Sequence, residues 1–415
     1  MPRLGHLALA LLLATALAVP ALAGGPTPNG NPFQLGTCST CTDRLPRVAG
    51  LPGGAFLAAW QATATGHLPG AWRRFFLASG APGTGAVQLG PTPRPAQYDV
   101  AVASNAAGKF VVVWSTLVNR SADVWAQRFT STGAPAAAPV RVSDNTTTAA
   151  YPPDDVLPSV TVAKDGSFTV AWIRAIPPDQ PQQVWARRFS AVGAPLGPQV
   201  QISTGRVNSN RPSLCTDSLG RAVVAWTSVD DPGPFEPSHF GVSRRHFGAT
   251  GLFPATAEGS VAAPLSATST LPAVACAPSG GTYAVVWQSD QAPAVAQSDI
   301  VLQRFNQVDK ASGARLRVNT VTSGFQRVPS IAITSTGAFV VVWENDNLGA
   351  ETIAGRRYGL TGAALDAAEF VVASRIPNTL APASPDVAAA GPGGAFVVVW
   401  DGPQGVTGRR FKITR

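Results

Sequence analysis

Seven tryptophans, each closing an apolar run, mark out this chain: Trp60, Trp114, Trp172, Trp226, Trp287, Trp343 and Trp400. The intervals between them average about 57 residues, a period that belongs to propellers and solenoids. The text before each Trp recurs, as in Gly54 to Ala59, Gly108 to Val113, Gly166 to Ala171 and Gly394 to Val399. Further upstream lies a Pro-x-Val/Ile-Ala segment, clearest at Pro46 to Ala49, Pro329 to Ala332 and Pro385 to Ala388. Downstream an Arg-aromatic pair returns at Arg74-Phe75, Arg128-Phe129, Arg188-Phe189, Arg245-His246, Arg304-Phe305, Arg357-Tyr358 and Arg410-Phe411. A Gly then follows in most copies, before a short alternation such as Val200-Gln201-Ile202. Each copy therefore reads as four strands divided by turn residues.

The second strand is apolar at both parities: Phe110, Val112 and Trp114 point one way, Val111 and Val113 the other, so both of its faces must be buried. A parallel sheet would need crossover helices, yet the connections are short and lack a 3.6-residue period. A unit of this size cannot hold its own core. Four-stranded sheets stacked radially satisfy the pattern. The expected fold is all-β, a seven-bladed β-propeller of four-stranded blades. The last copy ends a few residues beyond Arg410-Phe411 and lacks a fourth strand, whereas Asn31 to Thr37 resembles the fourth strand at Ala86 to Thr92. An N-terminal strand is therefore expected to complete the last blade and close the ring, removing two exposed edges.

The first 23 residues have the layout of an export signal, with Arg3, an apolar stretch from Leu7 to Val19, and Ala21-Leu22-Ala23 before Gly24. The domain reading is a signal peptide over 1–23 and a single propeller over 24–415. No later segment reaches 18 unbroken apolar residues, so no membrane span is expected, and the protein is expected to be secreted or periplasmic and monomeric. Its net charge of +8 is dispersed along the chain without Lys/Arg runs, which argues against nucleic acid as a partner. Four cysteines in an exported chain suggest two disulfides with three possible pairings. Cys38 and Cys41 have redox or zinc spacing but no strand-then-helix context. Cys215 and Cys276 fall at nearly equivalent places in consecutive copies and are positioned to meet across adjacent innermost strands.

The Val-Val-Val-Trp text at Phe110 to Trp114, with Gln127-Arg128-Phe129, Tyr283 to Trp287 with Gln303-Arg304-Phe305, and Phe339 to Trp343 resembles a group of exported bacterial propeller repeat proteins. The resemblance covers nearly the whole chain after residue 23. It implies a propeller used as a secreted or cell-surface module, and it supplies no catalytic residues. Lys164 to Phe168 departs from a sialidase-type Asp box, because its Trp stands six residues after the Gly.

An Arg in every copy is better explained by fastening neighbouring sheets than by catalysis, which needs a residue once. Asp123 and Asp299 stand five residues before Arg128 and Arg304 and are the expected ion-pair partners. Functional residues belong where the copies differ, in end loops. The fourth copy inserts Asp230-Asp231-Pro232-Gly233-Pro234-Phe235-Glu236-Pro237-Ser238-His239-Phe240 between its second and third strands. Asp230, Asp231, Glu236 and His239 are accordingly the candidate binding residues, with Asp154-Asp155 a weaker pair. No nucleophile elbow, phosphate loop or zinc-protease motif occurs, so no catalytic residue, metal ligand or cofactor is assigned. The reading is a non-enzymatic scaffold presenting loops to a protein or glycan partner; the alternative is a polysaccharide-acting hydrolase or lyase with its site at one end of the ring.

Overall fold

The computed structural model describes residues 25–36, 41–64, 68–90, 95–118, 121–144, 152–175, 182–205, 207, 210–230, 239–248, 257–262, 268–290, 297–347, 350–376, 383–402 and 404–413. The expected export signal at 1–23 lies outside them. All regular elements among these residues are β-strands, and no helix is long and apolar enough to cross a membrane.

The chain is a β-propeller. Each unit is an antiparallel run of strands, such as Asp154–Val162, Phe168–Ala175, Gln183–Phe189 and Val200–Gln201, paired in that order. Five blades stand as sheets of their own, four with four strands and one with five. The remaining strands form one eight-stranded sheet, and this corrects the expectation of seven separate blades. The fusion has a local cause at Ser298, which pairs with Phe325 at the start of the following first strand. The Ser298 hydroxyl donates to the Gln326 carbonyl at 2.8 Å and accepts the Gln326 N–H at 3.1 Å.

The five-stranded sheet joins the two ends of the chain. Phe33–Gln34 pairs with Gly408 and Thr407, and Pro26–Pro28 pairs with Phe411 to Ile413. Leu35 beside this strand is fully buried, and the Phe33 ring lies 5.8 Å from Phe56 and 5.4 Å from Phe76. The N-terminal strand thus bonds to the last sheet and packs its side chains against the first.

Apolar packing lies between successive sheets. Val111 and Val113 face Val170 and Trp172 of the next unit, whereas Val112 and Trp114 face Leu57 and Ala59 of the preceding one. A further cluster separates the halves of the eight-stranded sheet, joining Val286 to Trp343. All seven tryptophans are buried. Burial on both faces explains the double parity of the second strand, since each such strand is sandwiched between two neighbours.

Cross-strand pairing also corrects the register of the Arg-aromatic pair. The aromatic opposite the first residue of the second strand is Phe76 in the first unit and Phe247 in the fourth, not Phe75 and His246. It stacks on its partner in several units, as Phe168 on Phe189 at 4.9 Å. The residue before it reaches forward: Arg128 Nη1 donates to Ala191 O at 2.7 Å, Arg304 Nη1 to Leu360 O at 2.9 Å, and Arg410 Nη1 to Ala78 O across the closure. Arg74 and Arg245 are one position earlier and reach back, to Leu35 O and Ile202 O.

The expected pairing of Arg128 with Asp123 and of Arg304 with Asp299 does not form. Side chains five apart on a strand point to opposite faces. Asp123 holds Arg141 at 2.7 Å, and Asp299 accepts the Asn319 amide at 2.6 Å.

Candidate functional site

The first strands of all units line an axial tunnel of about 830 Å³. At its entrance a bulge recurs in the first strands, between Arg44 and Arg47, Tyr98 and Ala101, Val156 and Ser159, Thr270 and Ala273, and Arg327 and Ser330. The bulge residues Leu45, Asp99, Leu157, Leu271 and Val328 have φ between 49° and 55°. This left-handed backbone is costly for side chains with a Cβ, and it turns each strand into the tunnel.

Two positions beyond the bulge residue, opposite the residue before each Trp, stand Arg47, Ala101, Ser159, Ser213, Ala273, Ser330 and Asp386. Small side chains suit a narrow tunnel, so Arg47 and Asp386 are the exceptions. The bulge position itself carries two more charged residues, Asp99 and Arg211, in the place held by Leu45, Leu157 and Leu271 elsewhere. Arg211 lies deep in the molecule, yet part of it remains accessible because its surroundings are tunnel. Its Nη1 donates to Val100 O at 3.0 Å, which links the fourth unit to the second with the third between them.

The electrostatics of this entrance set two arginines against two aspartates that do not pair with them directly. Burial pushes the Arg211 guanidinium down to about 9; Arg47 acts in the same direction, and Asp99 and Asp386 oppose it. Asp386 is already occupied, with Oδ2 accepting Val48 N–H at 2.9 Å and Oδ1 accepting the Ser330 hydroxyl at 2.8 Å. Asp99 accepts the Ser115 hydroxyl at 3.0 Å and the Leu157 N–H at 3.3 Å.

On the rim, Asp401 Oδ1 accepts the Leu45 N–H at 2.8 Å. Burial pushes its carboxyl up to about 7; the Leu45 hydrogen bond and the charges of Arg47 and Arg44 pull it down, and Asp43 pushes it further up. Glu344 is raised for the same first reason, and its Oε2 accepts the Ala383 N–H at 2.6 Å. Thr227 performs the equivalent capping of Leu271 with a hydroxyl. Capping alone therefore does not require a carboxyl at Asp401, and burial leaves that group divided between acid and carboxylate near neutrality.

The residues singled out from sequence fare differently. Asp231 and Glu236, and the side chain of Asp230, lie outside the described residues. His239 is half-buried and pairs across strands with Asp230, on strand ends that rise at the same entrance as Arg211. Asp154 accepts the Ala122 N–H, and Asp155 is fully buried, accepting from Trp172 Nε1 and Arg174 at 2.7 Å. Both are structural. His246 is also buried, between Asp309 at 2.9 Å and Asp217 at 3.9 Å. The sequence reading missed Arg47, Arg211, Asp386 and Asp401. The signal was present as a departure from the residue type shared by the other units at one position.

Cys215 and Cys276 form a disulfide between adjacent first strands, with Cα atoms 5.5 Å apart, and both line the tunnel. Cys41 is also disulfide-bonded, and Cys38 lies outside the described residues. No group of three or more potential metal ligands occurs among the described residues.

No protein-family model and no curated protein sequence matches the chain. A protein of unknown function from Dyadobacter fermentans superposes with a TM-score of 0.56 at 11% identity, over 95% of this chain and 100% of that one. A polysaccharide lyase, an ulvan lyase, superposes with a TM-score of 0.55 at 9% identity, over 94% of each. An α-L-arabinofuranosidase from Fusarium graminearum reaches 0.49 at 9% identity, over 93% of this chain and 98% of that one. At such identities the likeness is one of fold.

Proposed function

We propose that this protein is an exported, single-domain propeller that acts on a polysaccharide, as a hydrolase or lyase, at the entrance of its axial tunnel. The halves of the eight-stranded sheet count as two blades in this reading, giving seven around the axis. One observation carries the functional part: the half-buried Asp401 carboxyl, which caps the Leu45 N–H at the rim and is raised to about 7 within electrostatic reach of Arg47 and Arg44. Breaking a glycosidic link by either route needs a group that can give or take a proton near neutral pH. Asp401 has one oxygen fixed by Leu45, which leaves Oδ2 to carry that proton.

The fold likeness to an ulvan lyase is compatible with such an activity. The disulfide fits an oxidising compartment, as expected for the exported group that the repeats resemble.

Incubating the purified protein with a glycan panel tests the proposal, with new reducing ends and the ultraviolet absorbance of an unsaturated product both followed. Turnover that disappears in Asp401→Asn supports it. Binding without turnover across the panel returns the protein to the scaffold reading.

A further inference from the structure

We propose that the tunnel entrance selects an anionic polysaccharide, whose uronate or sulfate group is held by Arg211 and Arg47. This inference rests on the polysaccharide reading and names the substrate class for that site.

Arg211 is placed at a cost. A buried guanidinium has five N–H donors and cannot shed its charge easily. Arg211 Nη1 has one carbonyl partner, Val100 O, while Nε has no hydrogen-bond partner at all. No carboxylate among the described residues forms an ion pair with Arg211 or with Arg47. The two acids able to do so are turned elsewhere, Asp386 to Val48 and Ser330, and Asp99 to Ser115 and Leu157. Arg47 spends Nη1 on the carbonyl of its own neighbour, Pro46, at 2.8 Å.

Packing does not require these residues. Other units fill the Arg211 position with Leu, Val or Asp and the Arg47 position with Ala or Ser, and they build the same bulge and the same strand. Two cations therefore converge on an accessible cavity with no carboxylate in direct contact, since Asp99, Asp386 and Asp401 act on them only at longer range, and one of the two is anchored to the second unit. An oxyanion arriving from outside completes both, and guanidinium is suited to carboxylate and sulfate oxygens alike. The raised acid at Asp401 is within electrostatic reach of Arg47 and caps Leu45, two residues before it, which puts a proton-handling group near the proposed anion site.

Calorimetry with oligosaccharides of matched length provides the test, using a polyuronate, a sulfated neutral glycan and an unsubstituted neutral glycan. The wild type and Asp401→Asn serve as binders, so that loss of catalysis leaves the readout intact. Arg211→Leu and Arg47→Ser install residues that other units carry, and thermal melts confirm folding; should Arg211→Leu not fold, Arg47→Ser carries the test alone. The expected result is binding of the polyuronate, the sulfated glycan or both, weakened at least tenfold in either variant and by added salt. Equal affinity for the neutral glycan overturns the inference while the polysaccharide reading stands. Anionic-glycan binding that both variants retain also overturns it. Absence of binding by any glycan overturns both.

Discussion

Arg211 Nη1 donates to the backbone carbonyl of Val100 at 3.0 Å, across 111 positions of sequence and past an intervening blade. The inter-blade fasteners described for Arg128, Arg304 and Arg410 connect neighbours, whereas this one skips a unit. It fixes a positive charge in the tunnel entrance without neutralising it. Replacing a desolvated charge that has no direct ion-pair partner by an apolar residue is often neutral or stabilising. Arg211→Leu is accordingly expected to melt at or above the wild-type temperature at neutral pH. A loss of several degrees would show that the arginine is a structural brace.

The catalytic role proposed for Asp401 comes with a stability signature. Because burial raises its pKa to about 7, the folded state holds the proton more tightly than the unfolded chain. Its contribution is full below about pH 4 and is lost as pH rises toward 7. Asp401→Asn keeps an oxygen for the Leu45 N–H and removes the ionisation. The variant should lose activity by 100-fold or more, in the range of a lost general acid or base, yet melt no lower than wild type at pH 8. Wild-type activity should show a titration limb near pH 7 that the variant's residual activity lacks.

These two groups show what was legible in the sequence. Repetition announced the fold, because burial on both faces of Phe110 to Trp114 and the strand at Asn31 to Thr37 follow from patterning alone. The fusion at Ser298 depends on one hydroxyl meeting one backbone amide, which no period encodes. The inserted loop at Asp230 to Phe240 is conspicuous in the sequence because it interrupts the repeat. The entrance charges were hidden by the opposite circumstance: Arg47 and Arg211 are single substitutions inside well-conforming units. They stand out only when cross-strand register aligns them with Ser, Ala and Leu.

The fourth unit meets the next through a titratable cluster in place of the usual arginine. His246 Nδ1 is 2.9 Å from Asp309 Oδ2, and the Tyr283 hydroxyl donates to Asp309 Oδ1 at 2.7 Å. Burial pushes the Asp309 carboxyl up, but hydrogen bonds from His246 and Tyr283, with the charges of His246 and Arg244, outweigh it and leave the pKa below 3.8. A depressed carboxyl contributes stability above its unfolded pKa and loses it as pH falls through the folded one. Asp309→Asn should cost about 1–3 kcal/mol at pH 6 by leaving buried partners unsatisfied. The difference from wild type should shrink below pH 4 in chemical denaturation, and a pH-independent difference would refute the assignment.

The Cys215–Cys276 bridge joins two first strands separated by 61 positions. Loop entropy for that span gives about 4 kcal/mol, with 2–4 typical in practice. Reduction, or the double change Cys215→Ser and Cys276→Ser, should lower stability by that order. The tunnel wall should survive, because Val274 N–H already bonds the Ser213 hydroxyl at 3.0 Å between the same strands. Glycan binding by the reduced protein is therefore expected to match the oxidised form at temperatures well below its melt.

Closure of the ring rests on the N-terminal strand, and Leu35 is its most buried point. Its side chain is fully enclosed with Val48, Phe56, Val399 and Val406, residues of both sheets that meet at the seam. Leu35→Ala removes buried volume that neither sheet can supply, at about 2–5 kcal/mol. Loss at this position also frees the edge at Gly405–Ile413, to which Phe33–Gln34 is bonded, and an unpaired edge invites association. Hydrogen exchange should accordingly rise first along Gly405–Ile413 in Leu35→Ala, before the sheets on the far side of the ring respond. Uniform acceleration around the ring would instead mean that the propeller opens as one cooperative unit and that the seam is no weaker than the other inter-blade contacts.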